Sequence, residues 1–209
     1  MQKEWNIVNK KAYEKKGKSY DFVRPLSMYK YLSKFFKKHL IKYMPKGSLL
    51  MDAGCGTGNS THFLDNIAKN CTIHGYEQAK GMVDVAKTKK FSNKTIFYNT
   101  TIEEIKAKDK YDYIQLFQVI HHFKEADNAL IIAKQALKKG GVLVLIDFFS
   151  NNKIVTIGNY IYCKFFGQGN YYTRNYKSME EDLRRNNFKI IKKVTHPVLK
   201  NYGLIIAQK

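Results

Sequence analysis

The feature that most constrains this chain is a run of alternate glycines between an apolar segment and a polar one. Residues 49–53 are apolar except for Asp52, and residues 59–61 are polar side chains that can open a helix. This order predicts a strand, a tight turn and a helix start. Glycine lets a ligand approach the backbone and a helix N-terminus attracts negative charge, so the turn predicts a nucleotide-binding site. The turn contains Gly54, Cys55, Gly56 and Gly58.

The spacing of these glycines narrows the choice of ligand. Dinucleotide-binding turns have the pattern G-x-G-x-x-G, and phosphate-binding loops continue into Gly-Lys-Ser or Gly-Lys-Thr. Neither pattern is present. The stretch resembles the first motif of the class I S-adenosylmethionine-dependent methyltransferases, of the type that acts on small molecules. The resemblance implies that Asp52, Gly54, Cys55, Gly56 and Gly58 bind S-adenosylmethionine.

A second strand, predicted over residues 71–77, ends in an acid. Glu77 lies 25 residues after Asp52. In a βαβ unit this separation brings the acid to the neighbouring strand end, where a carboxylate can accept hydrogen bonds from both hydroxyls of a ribose. Residues 77–82 resemble the same family's strand-end acid and following helix. Glu77 and Gln78 are therefore candidate cofactor-binding residues.

The third and fourth strands are predicted over residues 95–99 and 113–123, the latter running into a loop. Members of the family often place an aspartate after the third strand to accept the adenine amino group. Thr101 stands at that position here, so the resemblance assigns Thr101 and Ile102 to the adenine but leaves recognition to backbone groups and stacking. At the end of the fourth strand the resemblance makes Gln118 the neighbour of the cofactor's amino group.

Two adjacent histidines, His121 and His122, follow the fourth strand and resemble the paired histidines of methyltransferases acting on small molecules. A histidine near its ordinary pKa can take a proton from a hydroxyl or an amine. Packing and helix initiation are alternative roles for both side chains. The N/D-P-P-Y/F signature and the Pro-Cys nucleophile of enzymes that methylate nucleic-acid bases are missing.

The remaining segments complete a fold. An amphipathic helix over residues 127–137 is followed by a glycine pair that is expected to stop it, a fifth strand to residue 147, a last helix over 177–187 and strands over 188–195 and 202–207. The resemblance implies an α/β, Rossmann-like, doubly wound, seven-stranded and mainly parallel sheet with a C-terminal antiparallel hairpin. Residues 1–209 are predicted to form one domain.

Two segments flank this expected core. Residues 1–46 are predicted to form a helical cap broken at Pro25, in which the resemblance places Tyr13 and Tyr20 over the site and turns Arg24 towards the cofactor carboxylate. Residues 148–176, rich in aromatic side chains and interrupted by glycines, are predicted to cover the acceptor. An amphipathic segment that contacts a membrane is an alternative for the same residues.

The net charge of +20 is concentrated in these flanks. Residues 1–48 carry 13 basic and 3 acidic side chains, residues 49–148 carry 13 and 11, and residues 149–209 carry 11 and 3. Such flanks attract an anionic substrate, nucleic acid or a membrane surface, or they reflect compositional bias. Lysine outnumbers arginine by 33 to 4, which disfavours nucleic acid because arginine makes the bidentate phosphate and base contacts.

These observations predict an S-adenosylmethionine-dependent methyltransferase whose acceptor is O, N or C of a small hydrophobic or anionic molecule. The alternatives are an RNA methyltransferase that uses the basic flanks and a non-catalytic module that binds the cofactor. Three cysteines without metal-ligand spacing indicate no metal site. A cytoplasmic location is expected because residues 1–6 lack the apolar core of a signal peptide. The oligomeric state stays open.

Overall fold

The protein is described by a computed structural model covering residues 2–150, 152–165, 172, 174–199 and 202–209. Its helices are α1 (Gln2–Glu14), α2 (Gly17–Val23), α3 (Leu26–Leu40), α4 (Asn59–Ile67), α5 (Lys80–Lys87), α6 (Asp127–Ala136), α7 (Lys153–Phe165) and α8 (Tyr176–Arg185), with short 3-10 turns at Ile41–Tyr43, Ile102–Glu104 and Ile120–His122. Its strands are β1 (Leu49–Ala53), β2 (Thr72–Glu77), β3 (Lys94–Asn99), β4 (Tyr111–Phe117), β5 (Leu137–Phe148), β6 (Lys189–Thr195) and β7 (Tyr202–Gln208).

The strands form one mixed sheet in the order β3-β2-β1-β4-β5-β7-β6. Strands β1 to β5 pair in parallel, whereas β7 runs antiparallel to both β5 and β6. From β1 the chain moves outward to β3 and then returns to β4 on the other side of β1. The carboxyl ends of β1 and β4 therefore flank a topological switch point, where open α/β sheets bind ligands. The doubly wound sheet and its C-terminal hairpin are confirmed.

Two hydrophobic cores lie on the two faces of this sheet. One face packs against α3 and α4 through fully buried side chains such as Phe36 and Phe63. The other packs against α6 and α8, with Leu130 and Leu183 in its centre. Strands that are covered on both faces are apolar almost throughout, and this accounts for the continuous apolar runs in β4 and β5.

Several local expectations differ from the structure. The segment before Pro25 contains two helices, which meet at Gly17. The pair Gly140–Gly141 does not stop the preceding helix, because α6 ends at Ala136 and its C-cap residue is already extended. Gly140, at φ +80°, instead lies in an irregular start of β5 whose pairing with β4 shifts in register. The two glycines therefore belong to the irregular start of β5 and not to the end of α6.

The aromatic segment after β5 contains helix α7, which the sequence pattern did not predict. Residues 166–171 and 173, on which part of the predicted acceptor cover falls, lie outside the described residues. No helix within the described ranges has both the length and the apolar character needed to cross a bilayer. The predicted division of one domain into a cap, a core and a cover stays a prediction.

Candidate functional site

The glycine turn follows β1 and adopts backbone angles that side chains disfavour. Gly54, Gly56 and Gly58 have φ values of +80°, +54° and +86°. A Cβ on Gly54 would lie 2.5 Å from a methyl carbon of Val119, so the close approach of the β4 loop requires glycine there. A Cβ on Gly56 would meet nothing within 4 Å. The backbone at Gly56 is therefore open to a ligand.

Asp52 lies beneath this turn and holds it to the following helix. Its Oδ2 accepts hydrogen bonds from the hydroxyls of Ser60 and Thr61 at 2.8 and 2.7 Å, and its Oδ1 accepts one from Gln115 Nε2 at 2.9 Å. The carboxyl group is fully buried, and burial raises its pKa. All three donors belong to the chain, so the effect of Asp52 on a ligand is indirect.

A cleft of about 820 Å³ opens at the carboxyl ends of β1, β2 and β4, above the glycine turn. The structure brings most of the predicted site residues to its wall. Those lining residues are Tyr20, Gly54, Cys55, Gly56, Glu77, Gln78, Thr101, Ile102, Gln118 and His122.

Four predicted residues lie outside the wall of the cleft: Arg24, Asp52, Gly58 and His121. Gly58 precedes α4, where an added Cβ would lie 3.3 Å from Ala86 Cβ, so this glycine serves helix packing. Gly58 is the N-cap residue of α4, so it affects a ligand site only through where that helix begins.

Glu77 joins the end of β2 to the glycine turn. Its Oε2 accepts a hydrogen bond from the Gly56 N–H at 3.1 Å, and its Oε1 accepts one from the Ala79 N–H at 2.8 Å. Burial raises the pKa of this carboxyl group. The two backbone bonds fix the carboxylate at the cleft wall and leave further lone pairs that can accept hydrogen bonds from ligand hydroxyls.

Thr101 replaces the aspartate expected after β3, and the structure uses it as a helix cap. Its side chain accepts a hydrogen bond from the Glu104 N–H, and its own N–H donates to the Glu104 carboxylate at 3.2 Å. Glu103, two residues further along the chain, also lines the cleft, and the sequence pattern did not single it out. Two adjacent glutamates at 103 and 104 do not tell which of them faces the cleft.

Gln118 lines the cleft and has one buried acceptor atom. Its backbone has φ +54°, its N–H donates to Ile146 O at 2.7 Å, and its Nε2 is bonded to the Tyr202 hydroxyl. Its Oε1 is buried and has no hydrogen-bond partner in the described part of the chain. A buried acceptor without a donor is costly.

The two histidines face different surroundings. His122 lines the cleft, and its Nε2 lies 3.0 Å from the hydroxyl oxygen of Tyr13 in α1. His121 is buried, with Nδ1 2.8 and 2.9 Å from the two carboxylate oxygens of Asp147 at the end of β5. The ring centres are 4.1 Å apart. Of the two, His122 is the one that can contact a molecule in the cleft directly.

Helices α1 and α2, with the residues between them, cover the cleft and are called the roof below. Glu14 and Asp21 attach the roof to the rest of the protein. Glu14 accepts hydrogen bonds from the N–H groups of Lys80 and Gly81 at the start of α5, at 3.1 and 3.2 Å. Asp21 forms an ion pair with Lys89 at 2.6 Å and accepts a hydrogen bond from Asn59 Nδ2 at 3.0 Å.

This roof contributes three polar side chains to the cleft wall: Tyr13, Tyr20 and Asn9. Asn9, whose Nδ2 donates to the His122 carbonyl oxygen at 3.3 Å, was missed because nothing in its neighbourhood in the sequence distinguishes it.

Arg24 does not reach the cleft. Its guanidinium carbon lies 5.8 Å from the centre of the Phe148 ring, and Nη1 lies 3.5 Å from the Tyr202 hydroxyl. The residue is the C-cap of α2, and its carbonyl oxygen accepts a hydrogen bond from Asn59 at 2.9 Å. Its side chain lies against Phe148 of β5 and Tyr202 of β7, and the assignment of Arg24 to the cofactor carboxylate stays a prediction.

Comparison with known proteins agrees with this geometry. The family described as a methyltransferase domain matches residues 25–193, which include the glycine turn, Glu77, Gln118 and both histidines. The chain belongs to the class I S-adenosylmethionine-dependent methyltransferases. The first residue of the match follows Arg24, so α1 and α2 lie before the matched region.

Individual relatives of this methyltransferase are distant. It is 31% identical over 88 residues to malonyl-[acyl-carrier protein] O-methyltransferase of Bacillus anthracis, covering 40% of this chain and 33% of the relative. It is 26% identical over 158 residues to ubiquinone biosynthesis O-methyltransferase of Pelagibacter ubique, covering 67% of this chain and 65% of the relative. The chain thus spans less than two thirds of the length of either protein.

A solved structure shares the fold over the whole chain. It is the Burkholderia thailandensis 1,6-didemethyltoxoflavin-N1-methyltransferase with bound 1,6-didemethyltoxoflavin and S-adenosylhomocysteine. The TM-score is 0.71 at 16% identity, with 100% of this chain and 90% of that chain covered.

Proposed function

We propose that the protein binds S-adenosylmethionine in the cleft and transfers its methyl group to O, N or C of a small molecule. The observation that carries this proposal is the meeting of three groups at one cleft: the open backbone at Gly56, the fixed carboxylate of Glu77 and the residue Gln118 at the end of β4. The Gly56 backbone lets a ligand approach closely. The Glu77 carboxylate can accept hydrogen bonds from ribose hydroxyls, and Gln118 is assigned to the amino group of the cofactor.

The bound cofactor supplies an activated methyl group on a positively charged sulfur, and its leaving group is a neutral thioether. The chain therefore needs no acid for the leaving group. Its own task is to orient the acceptor and exclude water, and alignment of this kind lowers a barrier by about 7–11 kcal/mol. The roof of α1 and α2 over the cleft serves both purposes.

We assign His122 as the base for acceptors that lose a proton. It is the histidine on the cleft wall, and its Nε2 is the atom that would hold the proton. Tyr13 bonds this nitrogen in the structure and defines where an acceptor hydroxyl or amine would donate. His121, buried on Asp147 and packed beside His122, is assigned as a positioning residue.

The cofactor and the acceptor have to share the cleft that opens above the glycine turn, because Glu77, Gln118 and His122 all line it. The two relatives described above are named as O-methyltransferases, of malonyl-[acyl-carrier protein] and of ubiquinone biosynthesis. The segment over residues 148–176 is proposed to cover the acceptor, since the Tyr172 N–H donates to His121 O at 2.7 Å.

A cytoplasmic location belongs to the same proposal. Two of the three cysteines, Cys55 and Cys71, are buried free thiols, which suit a reducing compartment.

Isothermal titration calorimetry with S-adenosylmethionine and S-adenosylhomocysteine tests cofactor binding. Gly56→Arg should abolish binding, because its side chain enters the open space of the cleft. Gly47→Arg is the matched control: Gly47 also has a positive φ, +87°, and also has nothing within 4 Å of an added Cβ, but it lies outside the cleft wall. No binding by the wild-type protein, or equal losses in both variants, would contradict the proposed site.

Turnover is tested separately by release of S-adenosylhomocysteine across a library of small metabolites. A responding acceptor would then be assayed with His122→Gln and Tyr13→Phe. We expect the first to lower kcat by about 10²-fold or more for an acceptor that loses a proton. A binding-competent protein that releases no product with any acceptor would support the non-catalytic alternative.

A further inference from the structure

Helix α7 exposes an apolar face. The exposed fractions are 80% for Ile154, 58% for Ile157, 52% for Tyr160, 58% for Ile161 and 83% for Phe165. Positions 154, 157, 161 and 165 follow helical spacing and lie along one side of the helix. Contiguous exposed apolar surface of this kind marks a site of interaction with a protein or a membrane.

The position of α7 connects this face to the cleft. Strand β5 runs parallel to β4, so its carboxyl end at Phe148 lies at the same edge of the sheet as the cleft, and α7 begins five residues later. The roof reaches the same edge, because Arg24 packs on Phe148. Phe22, two residues before Arg24 in α2, is 94% exposed.

The charge at this edge is positive. Helix α7 begins with Lys153, carries Lys164 in its last turn and has no acidic residue. In the roof, Lys10, Lys11 and Lys15 are exposed. Of the three acids in the roof, Glu14 and Asp21 are engaged with α5, α4 and Lys89, and the third is Glu4; the basic residues of the roof are Lys3, Lys10, Lys11, Lys15, Lys16 and Lys18. The outer surface of the roof is therefore basic.

We propose that this edge binds an anionic lipid bilayer. The docking surface comprises the exposed α7 residues Ile154, Ile157, Tyr160, Ile161 and Phe165 together with Lys10, Lys11 and Lys15. Helix α7 has 13 residues, which is too short to span a bilayer, and it lies in the interface with its apolar face among the acyl chains. The roof lysines contact anionic headgroups.

Two other occupants fit less well. The exposed isoleucine side chains would not be buried by RNA, because its phosphate backbone is charged and provides no apolar environment. A second copy of this chain would bring two bodies of net charge +20 together, and their repulsion opposes the association. An anionic bilayer complements the charge and the apolar face together.

Flotation with vesicles tests the proposal on the whole chain. The protein should float with vesicles that contain phosphatidylglycerol, should stay behind with pure phosphatidylcholine, and should be released by salt. Ile157→Glu should weaken binding at least tenfold. The substitution removes one apolar side chain from the acyl-chain region, and the new carboxylate is repelled by the anionic headgroups. The matched control is Ile131→Glu on α6, where the isoleucine is 45% exposed and the same charge is added far along the chain from α7.

A second pair of variants tests the charge. Lys10→Gln with Lys11→Gln should weaken binding by about fivefold for each lysine removed. Lys46→Gln with Lys69→Gln makes the same change of charge in the loops before β1 and β2, at the opposite edge of the sheet, and should leave binding close to wild type. Both pairs replace exposed side chains, so equal thermal stability is expected for all variants.

Three results would overturn the proposal: equal flotation with neutral vesicles, wild-type binding by Ile157→Glu, or displacement of the protein from vesicles by tRNA at the same surface. Concentration-dependent self-association that Ile157→Glu abolishes would assign the face to a second copy instead. Vesicle binding needs no methyl transfer. Calorimetric binding of S-adenosylhomocysteine by Ile157→Glu therefore separates a failed docking surface from a failed cofactor site.

Discussion

The two walls of the cleft are built in different ways. At the strand ends, Asp52 lies beneath the cleft wall, fully buried and satisfied by three side chains, in a sheet that is packed on both faces. In α1 and α2, Asn9 is the only buried residue among those described, and the helices are held by Glu14 and Asp21. The strand-end wall is thus part of the folding core, whereas the roof can open locally while the sheet stays folded.

The largest effect is expected from Asp52→Ala. It leaves the Thr61 hydroxyl and one N–H of Gln115 without an acceptor, whereas the Ser60 hydroxyl keeps the Cys55 carbonyl oxygen at 3.2 Å. Each lost acceptor costs about 1–3 kcal/mol, so the free energy of unfolding should fall by about 2 kcal/mol or more. Urea denaturation measures this loss. Asp84→Ala is the control, because its ion pair with Lys80 is on the surface and is worth under about 1 kcal/mol. Equal losses of unfolding free energy in the two variants would show that the hydrogen bonds of Asp52 stabilise the fold no more than a surface ion pair does.

Glu77→Gln tests whether the strand-end wall contributes to cofactor affinity. The substitution keeps the shape of the side chain but removes the charge that strengthens its hydrogen bonds, so affinity for S-adenosylhomocysteine should fall by about 10- to 100-fold. Calorimetry measures this change, and an unchanged urea midpoint shows that the fold is intact. Affinity within twofold of wild type would remove Glu77 from the cofactor site.

The pH dependence of binding sharpens the role of Glu77. Burial raises its pKa above the ordinary 4.5, so the carboxylate gains a proton at a higher pH than an exposed glutamate does. Cofactor affinity should therefore fall as the pH is lowered from 7 towards that pKa, and the fall should be absent in Glu77→Gln. Stability changes in the opposite direction, since protonation relieves the cost of burying the charge.

A smaller effect is expected from Asp21→Asn in the roof. The ion pair with Lys89 is partly exposed, so the free energy of unfolding should change by less than about 1 kcal/mol. Amide hydrogen exchange in α2 should nevertheless accelerate severalfold, with no change in β1 or β4. Acceleration shared by the strands would show that roof and core open together.

The smallest effect is expected from Arg24→Gln. Because the guanidinium packs on Phe148 outside the cleft, affinity for S-adenosylhomocysteine should stay within about twofold of wild type. A loss of tenfold or more would support the role that the resemblance assigned to Arg24 and would place the roof in the cofactor site.

The fold was predictable because its signals are local. Apolar runs ending in glycine or an acid mark β1 and β2, and the order of elements defines the doubly wound sheet. Two local expectations were wrong or absent. The glycines at 140 and 141 were expected to stop α6, but the irregular pairing of β4 with β5 uses them. Helix α7 was not predicted, because Gly158 interrupts the aromatic segment, although the apolar positions 154, 157, 161 and 165 follow helical spacing.

The candidate site was predictable in part for the same reason. Residues that follow strand ends, such as Glu77 and Gln118, lie at the cleft wall because parallel strands bring their carboxyl ends to one edge. Asn9 and Glu103 also reach that wall. Their positions depend on how α1 and the turn at Ile102–Glu104 pack, which no local pattern specifies.

The sequence by itself determined the backbone of the cofactor turn, because only glycine adopts the positive φ angles at positions 54, 56 and 58 without strain. It also determined the charge of the flanks. The tertiary structure alone decided how similar side chains divide their roles. His121 is buried on Asp147 while its neighbour faces the cleft, and Arg24 packs on β5, because contacts between residues more than 20 positions apart select the direction of each side chain.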